Sequence, residues 1–207
     1  MMNELKIMST IRDIEQLFIE YGHLHYGEQC SQLIHAISCA WHAQQDNASI
    51  TLIIAALLHD IGHFIADKQQ FKGVDDFGHK EHASIGANWL KDRGFPASVY
   101  QPIRYHVQAK RYLVTLFDQN EKNAHLSLAS QHTLQQQGGK MSNDELKDFE
   151  RLAYFSAALT LRQYDDLGKP NLHVSLKGFT TLKPWLPLIS RVLKEEIGTS
   201  STLEYNR

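Results

Sequence analysis

Apolar residues fall at helical spacing along most of the chain. Ile11, Ile14, Leu17, Phe18 and Tyr21 recur every three or four positions and predict a first helix over 11–21. The turn Gly22–Gly27 follows it. Ser31 is placed to cap a second helix carrying Leu33, Ile34, Ile37 and Trp41. Ser49 is placed to cap a third, ITLIIAALLHD, which is apolar nearly all round and therefore belongs at the centre of the fold. It stops at Ile61–Gly62. The polar, glycine-bearing stretch Ala66–Gly78 predicts a mobile loop. Helical spacing returns over 80–92, ends at Gly94, and restarts after Pro96 towards Tyr112.

The second half is more broken. Residues 117–127 read as irregular, and a short helix covers Leu128–Gln136 before Gly138–Gly139. Ser142 with Glu145 makes a capping-box pattern ahead of another helix. A long helix runs from Leu152 to Tyr164 and stops near Gly168–Pro170, and a last one spans Leu188–Ile197 between Pro187 and Gly198. A polar, frayed end follows it. No stretch alternates convincingly with the period of two that a half-buried strand needs. The reading is all-α: one helical bundle over 11–175, an N-terminal extension over 1–10, and a helical tail over 176–207.

Composition narrows the function. With 21 basic and 23 acidic residues the formal charge is −2, which offers no cationic surface for nucleic acid. No apolar run reaches membrane-spanning length, and the N-terminus lacks the apolar centre of a signal peptide. Cys30 and Cys39 form no CxxC pair, which favours a reducing, cytoplasmic setting over a disulfide framework. The pattern carries no signal about oligomeric state. What stands out is 12 histidines, several of them next to acidic residues.

The pair His59–Asp60 ends the most apolar helix, and a buried pair of that kind must be satisfied. Alone it reads more readily as a hydrogen-bonded core pair than as a metal site. Alone, too, His35 and His106 read as packed core histidines, and His82 and Asp165 as surface caps. Together they place four histidines and two aspartates on separate helices, which is how a bundle interior holds metals. Two ions need about this many ligands, with Asp60 placed to bridge them. Nitrogen and carboxylate ligands without thiolate favour iron, manganese or similar ions over a structural zinc.

The order H…HD…H…H…D from His35 to Asp165 resembles the HD-domain superfamily, and His82 and His106 resemble the extra ligands of its dinuclear branch. Most of that superfamily hydrolyses phosphate esters. The strings YGE, HAISCAWHAQQ, AALLHDIGHF, HASIGANWL, HVQAKRYL, LSLASQHTLQQQGG and LRQYDD are similar to a smaller branch of mixed-valent di-iron oxygenases that cleave the C–P bond of hydroxyphosphonates.

The resemblance implies an HD-domain bundle that binds two iron ions, Fe(II)/Fe(III), through His35, His59, Asp60, His82, His106 and Asp165. It implies that His63, Lys110, Ser130, Thr133 and Arg162 contact the substrate, chiefly its phosphonate. Glu28 matches an acid that holds a substrate ammonium. O2 is the co-substrate, and the implied reaction turns 2-amino-1-hydroxyethylphosphonate into glycine and phosphate. A tyrosine that fills one iron position until substrate arrives stands three residues before that acid in the branch. Here His25 holds that offset and Tyr26 stands two before Glu28; Tyr26 is the favoured candidate and His25 the alternative. Without the metal core, each contact residue has an ordinary reading as a solvated charge, a helix cap or a packed histidine. The competing functions are a metal-dependent phosphohydrolase acting on a nucleotide or small phosphomonoester, and a metal-sensing module without catalysis.

Overall fold

The structure is a computed structural model that describes residues 2–119, 126–169 and 181–204, with side chains described over 4–117, 126–169 and 181–196. In chain order the helices are α1 (Met2–Tyr21), α2 (Gln32–Gln45), α3 (Ile50–Leu58), α4 (Ile61–Lys68), α5 (His82–Asp92), α6 (Ala97–Gln119), α7 (Leu128–Gln136), α8 (Asn143–Glu150), α9 (Phe155–Leu167) and α10 (Leu186–Glu204). A short 3-10 turn, Lys183–Trp185, leads into α10. Between α4 and α5 lies a small antiparallel hairpin, β1 (Val74–Asp75) and β2 (Gly78–His79), with Val74 opposite His79. The bundle expected from the apolar periodicity is the observed architecture.

α3 is the axis. Ile53, Ile54, Ala55, Ala56, Leu57 and Leu58 are all buried, because α2, α6, α9 and α10 each pack against it. Each fully buried aliphatic side chain of this size contributes roughly 1.5–3 kcal/mol of transfer free energy. Ser49 caps α3 by accepting from the Leu52 N–H at 3.3 Å. A second, smaller core of Ala109, Tyr112, Met141, Leu146, Phe149 and Ala158 joins α6, α8 and α9. The Ser142–Glu145 capping box forms as the sequence pattern requires.

Several expectations change. The stretch expected to be a loop from Ala66 is helix to Lys68 and then hairpin, because the apolar residues of α3 continue past a break into Ile61, Phe64 and Ile65. The two halves are bent by 41° at His59–Asp60. α1 begins at Met2 rather than residue 11, with Ile7, Ile14 and Leu17 in the main core and α10 packed against it. α9 is shifted to Phe155–Leu167, and α10 continues past Gly198. Trp185, Ile189, Val192 and Leu193 are buried in the same core as α3, so 185–193 is integral to the bundle. Of the stretch expected to be irregular, 117–119 continue α6, while 120–125, with Pro170 and the start of the 176–207 tail, lie outside the described residues. Among the described residues no single helix is long and apolar enough to cross a membrane.

Gly62 positions the site. A Cβ there would lie 1.9 Å from the His82 carbonyl oxygen and 2.8 Å from the Gly86 amide, so only glycine lets α4 and α5 approach this closely. That contact brings His82 beside the α3–α4 break.

Candidate metal centre and substrate pocket

The break between α3 and α4 lets two adjacent residues diverge. His59 continues the helical backbone at φ −60°, and Asp60 turns to φ −98°, ψ 5°. His59 is fully buried, and the Asp60 carboxylate stands at the floor of a cavity with 18% exposure. His35 comes from α2, His82 from the start of α5, His106 from α6 and Asp165 from α9.

These six side chains form two groups that share Asp60. In the first, His35 Nε2 lies 3.2 Å from His59 Nε2, 3.6 Å from Asp60 Oδ2 and 3.3 Å from Asp165 Oδ1. His59 Nε2 is 3.3 Å from the same Asp60 oxygen and 3.8 Å from Asp165 Oδ1. In the second, His82 Nε2 and His106 Nε2 are 3.0 Å apart, and Asp60 Oδ1 lies 3.4 and 3.8 Å from them. One carboxylate thus offers one oxygen to each group.

The outer ring nitrogens fix the tautomers. Each Nδ1 faces a backbone carbonyl: His35 to Gly168 at 3.2 Å, His59 to Ala56 at 2.8 Å, His82 to His79 at 3.0 Å and His106 to Ile103 at 2.7 Å. A carbonyl only accepts, so Nδ1 carries the hydrogen and Nε2 presents a lone pair. Two facing lone pairs repel unless a cation lies between them. Two ligands about 2.1 Å from one ion at ordinary coordination angles stand roughly 3.0–3.4 Å apart, which is the spacing of both histidine pairs. The donor set fits two metal ions.

Protonation follows the same geometry. Burial lowers His106 to about 3, with neighbouring His82 and His59 adding to the effect, and burial likewise lowers His82. Both rings are neutral ligands at pH 7. Burial lowers His59 as well, but Asp60 and Asp165 outweigh it and raise the group to about 9. In the metal-free site a proton on His59 therefore sits where a cation would.

Above the floor, the residues expected to touch substrate line one cavity of about 570 Å3, open mouth included. Lys110 is buried and donates to Thr133 Oγ1 at 3.0 Å. Burial, then Arg162, lowers its pKa to about 7. Arg162 donates to Asp165 Oδ2 at 2.6 Å, grips Asp166 with Nε and Nη2, and reaches Ser130 Oγ at 3.5 Å. It thereby also orients a metal-ligand candidate. His63 Nδ1 accepts from the His79 backbone N–H at 2.9 Å, so the neutral ring keeps its hydrogen on Nε2 as a donor. Gly78, at φ +82°, packs its Cα against that ring, where a Cβ would meet Nδ1 at 2.1 Å.

Tyr26 and His25 separate cleanly. Tyr26 lines the cavity at φ +45°, its ring 4.7 Å from His63 and its hydroxyl donating to the Asp67 carboxylate. His25 is exposed, with Nδ1 3.3 Å from the Glu28 carbonyl oxygen. At the mouth, Phe77 stacks on His132 of α7 with ring centroids 4.0 Å apart.

Several pocket residues were not legible as such. Lys169 Nζ lies 3.2 Å from Glu28 Oε1, 2.8 Å from Ser130 Oγ and 3.4 Å from Asp165 Oδ1. Burial lowers its pKa, but Asp165 and Glu28 more than compensate and it stays charged. Its spacing of four from Asp165 on α9 was the available signal. Ser127 donates to Glu28 Oε1 at 2.7 Å while capping α7. Cys39, one turn after His35, has its Sγ 3.7 Å from His35 Nδ1. Burial, helped by Asp165 and Asp60, raises its thiol well above the usual range, and its Sγ lies close enough to His35 and His59 for the three to share an ion.

The HD domain family matches residues 32–155. Hydroxymethylphosphonate dioxygenase of Gimesia maris is 36% identical over 159 residues, which are 77% of this chain and 78% of that protein. The [1-hydroxy-2-(trimethylamino)ethyl]phosphonate dioxygenase (glycine-betaine-forming) of Leisingera caerulea is 35% identical over 162 residues, 78% of this chain and 81% of its own length. An uncharacterized protein of Acanthamoeba polyphaga mimivirus is 36% identical over 168 residues, 81% of this chain and 76% of its own. With a histidine–aspartate pair at a helix break, three further histidines and a late aspartate closing on it, and relatives of this kind, the chain belongs to the HD-domain family, in the branch that holds the hydroxyphosphonate dioxygenases.

Proposed function

We propose that the protein is a di-iron dioxygenase that cleaves the C–P bond of a 1-hydroxyphosphonate with O2, yielding inorganic phosphate and a carboxylate. The observation that carries this reading is Asp60, whose two carboxylate oxygens face two separate histidine pairs beneath a cationic pocket. When bound, a mixed-valent Fe(II)/Fe(III) pair supplies O2 activation and a Lewis-acid seat for the phosphonate and hydroxyl oxygens.

The protein's own groups bind and orient the substrate. A phosphonate dianion calls for a guanidinium fork, an ammonium and hydroxyl donors, and Arg162, Lys110, Ser130 and Thr133 offer that set on one side of the cavity. The Nε2–H of His63 adds a neutral donor. Lys110, lowered to about 7 in the empty site, gains its full charge once a dianion neutralises the Arg162 field. Tyr26 takes the role of the loop residue that yields on substrate entry, because it faces the cavity and His25 faces away. The Phe77–His132 stack narrows the mouth and restricts water.

Two of the relatives name substrates that differ beyond the hydroxyl-bearing carbon: one ends there, with no amine, and the other carries a trimethylammonium on a second carbon. Their identities to this chain, 36% and 35%, do not choose between them. Glu28, a largely buried carboxylate on the cavity wall, supports an ammonium-bearing substrate, and 2-amino-1-hydroxyethylphosphonate, giving glycine and phosphate, is our assignment. The free thiols of Cys30 and Cys39 fit a cytoplasmic setting.

The test is direct. Anaerobic, iron-loaded protein is mixed with 2-amino-1-hydroxyethylphosphonate and then given O2; glycine and phosphate should appear in equal amounts, and neither before O2 is added. Turnover of p-nitrophenyl phosphate or a nucleotide without O2, and none of the phosphonate, returns the chain to the phosphohydrolases.

A further inference from the structure

Lys169 occupies the junction between two parts of the pocket that the reading above keeps separate. Its ammonium touches Glu28 at 3.2 Å on one side and Ser130 at 2.8 Å on the other, with Ser127 at 3.5 Å. Ser130 also takes Arg162 Nη2 at 3.5 Å, so it marks the anion seat. Glu28 marks the cation seat, since an ammonium already sits on it. Both partners are largely withdrawn from water, with 15% exposure for Lys169 and 13% for Glu28. A carboxylate in that position is costly without a cation, and a second ammonium beside the first is repelled.

We propose that Lys169 is a substrate-binding residue that exchanges its counter-ion, neutralising Glu28 in the empty pocket and turning to the phosphonate when a substrate ammonium takes Glu28. This inference rests on the hydroxyphosphonate reading. The exchange needs little movement, because Lys169 is already bonded to the hydroxyl that lines the phosphonate seat. It also conserves charge: substrate brings one ammonium and one phosphonate, and each finds an opposite partner. A substrate without an amine leaves Lys169 between Glu28 and the phosphonate, shared by both. One site thereby accommodates aminated and amine-free phosphonates. Lys169 is the group whose loss makes it discriminate, because a bare Glu28 repels a phosphonate that carries no cation of its own.

The experiment uses ligands that lack the hydroxyl and so are not turned over. Calorimetry measures Kd of the metal-loaded protein for ethylphosphonate and for 2-aminoethylphosphonate, in wild type, Lys169→Met and Glu28→Gln, with metal content determined for each. Losing a charged hydrogen bond weakens binding by roughly tenfold or more. Lys169→Met should weaken ethylphosphonate by about that factor and 2-aminoethylphosphonate by less than about threefold, since its lost phosphonate contact is offset by an ammonium that no longer competes with Lys169 for Glu28. Glu28→Gln should do the reverse, weakening 2-aminoethylphosphonate about tenfold and sparing ethylphosphonate. Metal content should match wild type in both. If Lys169→Met fails to fold, the Glu28→Gln pair of constants still decides, and equal effects on both ligands overturn the exchange. Equal weakening in Lys169→Met, no weakening, or loss of metal also overturns it while leaving the hydroxyphosphonate reading standing. Wild-type protein that binds neither phosphonate overturns that reading and the exchange with it.

Discussion

The floor and the rim of the pocket are built by different means. On the floor, each histidine proposed as a metal ligand comes from or borders a core helix and is oriented by a backbone carbonyl, three of the four lying within three residues of the ring in sequence. Its geometry follows from helix packing and does not depend on what fills the cavity. The rim is assembled from side chains distant in sequence: Lys169 to Glu28, Ser127 to Glu28, Lys110 to Thr133, Tyr26 to Asp67, Phe77 to His132. Backbone scaffolding makes a rigid site that fits the proposed metals. Side-chain scaffolding makes a site whose preferences change with one substitution. Arg162 and Lys169 span both, each touching Asp165 on the floor and Ser130 on the rim.

That contrast can be broken most severely at Asp60. Asp60→Ala removes the shared carboxylate, and activity should fall by at least about a hundredfold. Metal analysis should show the loss of bound ion, with the helical circular dichroism retained.

Acid should empty the same floor. In the metal-free protein the His59 pKa, near 9, lies above its ordinary 6.5. Its proton therefore stabilises the metal-free fold fully below about pH 6.5, and that contribution is lost as the pH rises through 9. A cation displaces the proton, so metal affinity should rise about tenfold per pH unit in that window and weaken by the same factor on acidification. Competition titration with a chelator at pH 6, 7 and 8 measures the slope, and a flat profile refutes it.

Lys110→Met tests the rim. Metal content should be unchanged, and phosphonate affinity should drop roughly tenfold to a hundredfold. Parallel loss of metal would erase the distinction between the two layers. A smaller effect is expected at Gly78, where alanine meets both a φ of +82° and the His63 ring. Strain of about 1–3 kcal/mol should lower the melting temperature and raise KM more than it lowers kcat. Ser142→Ala is the control outside both layers: loss of the α8 capping box should cost about 0.5–2 kcal/mol of stability and leave metal content and phosphonate affinity as they were.

The floor was readable in advance because its residues are tied to local pattern. His59–Asp60 closes the most apolar run in the chain, and His35 and His106 sit on buried helical faces. The rim was readable only in part. Lys110, Ser130, Thr133 and Arg162 came from resemblance, while Lys169 carried only its spacing of four from Asp165, and Ser127 and Asp67 no signal beyond ordinary polarity. Their partners lie 141, 99 and 41 residues away, and no periodicity encodes such pairings. The helix α4 and the hairpin were missed for a related reason. Polar residues along Ala66–Gly78 look loop-like in isolation, yet His79 and Gly78 are fixed by contact with His63 and His82.

By itself, then, the order of residues determined an all-helical chain, the central place of α3, the caps at Ser49 and Ser142, and the six side chains with metal-ligand chemistry. Those follow from local periodicity and from the cost of burying charge without a partner. Only the tertiary structure decided which Asp60 oxygen faces which histidine pair, that Tyr26 and not His25 looks into the cavity, and that Lys169 stands on Glu28. Directions in space between distant segments are set by how helices pack, and here by the close approach that a single glycine, Gly62, permits.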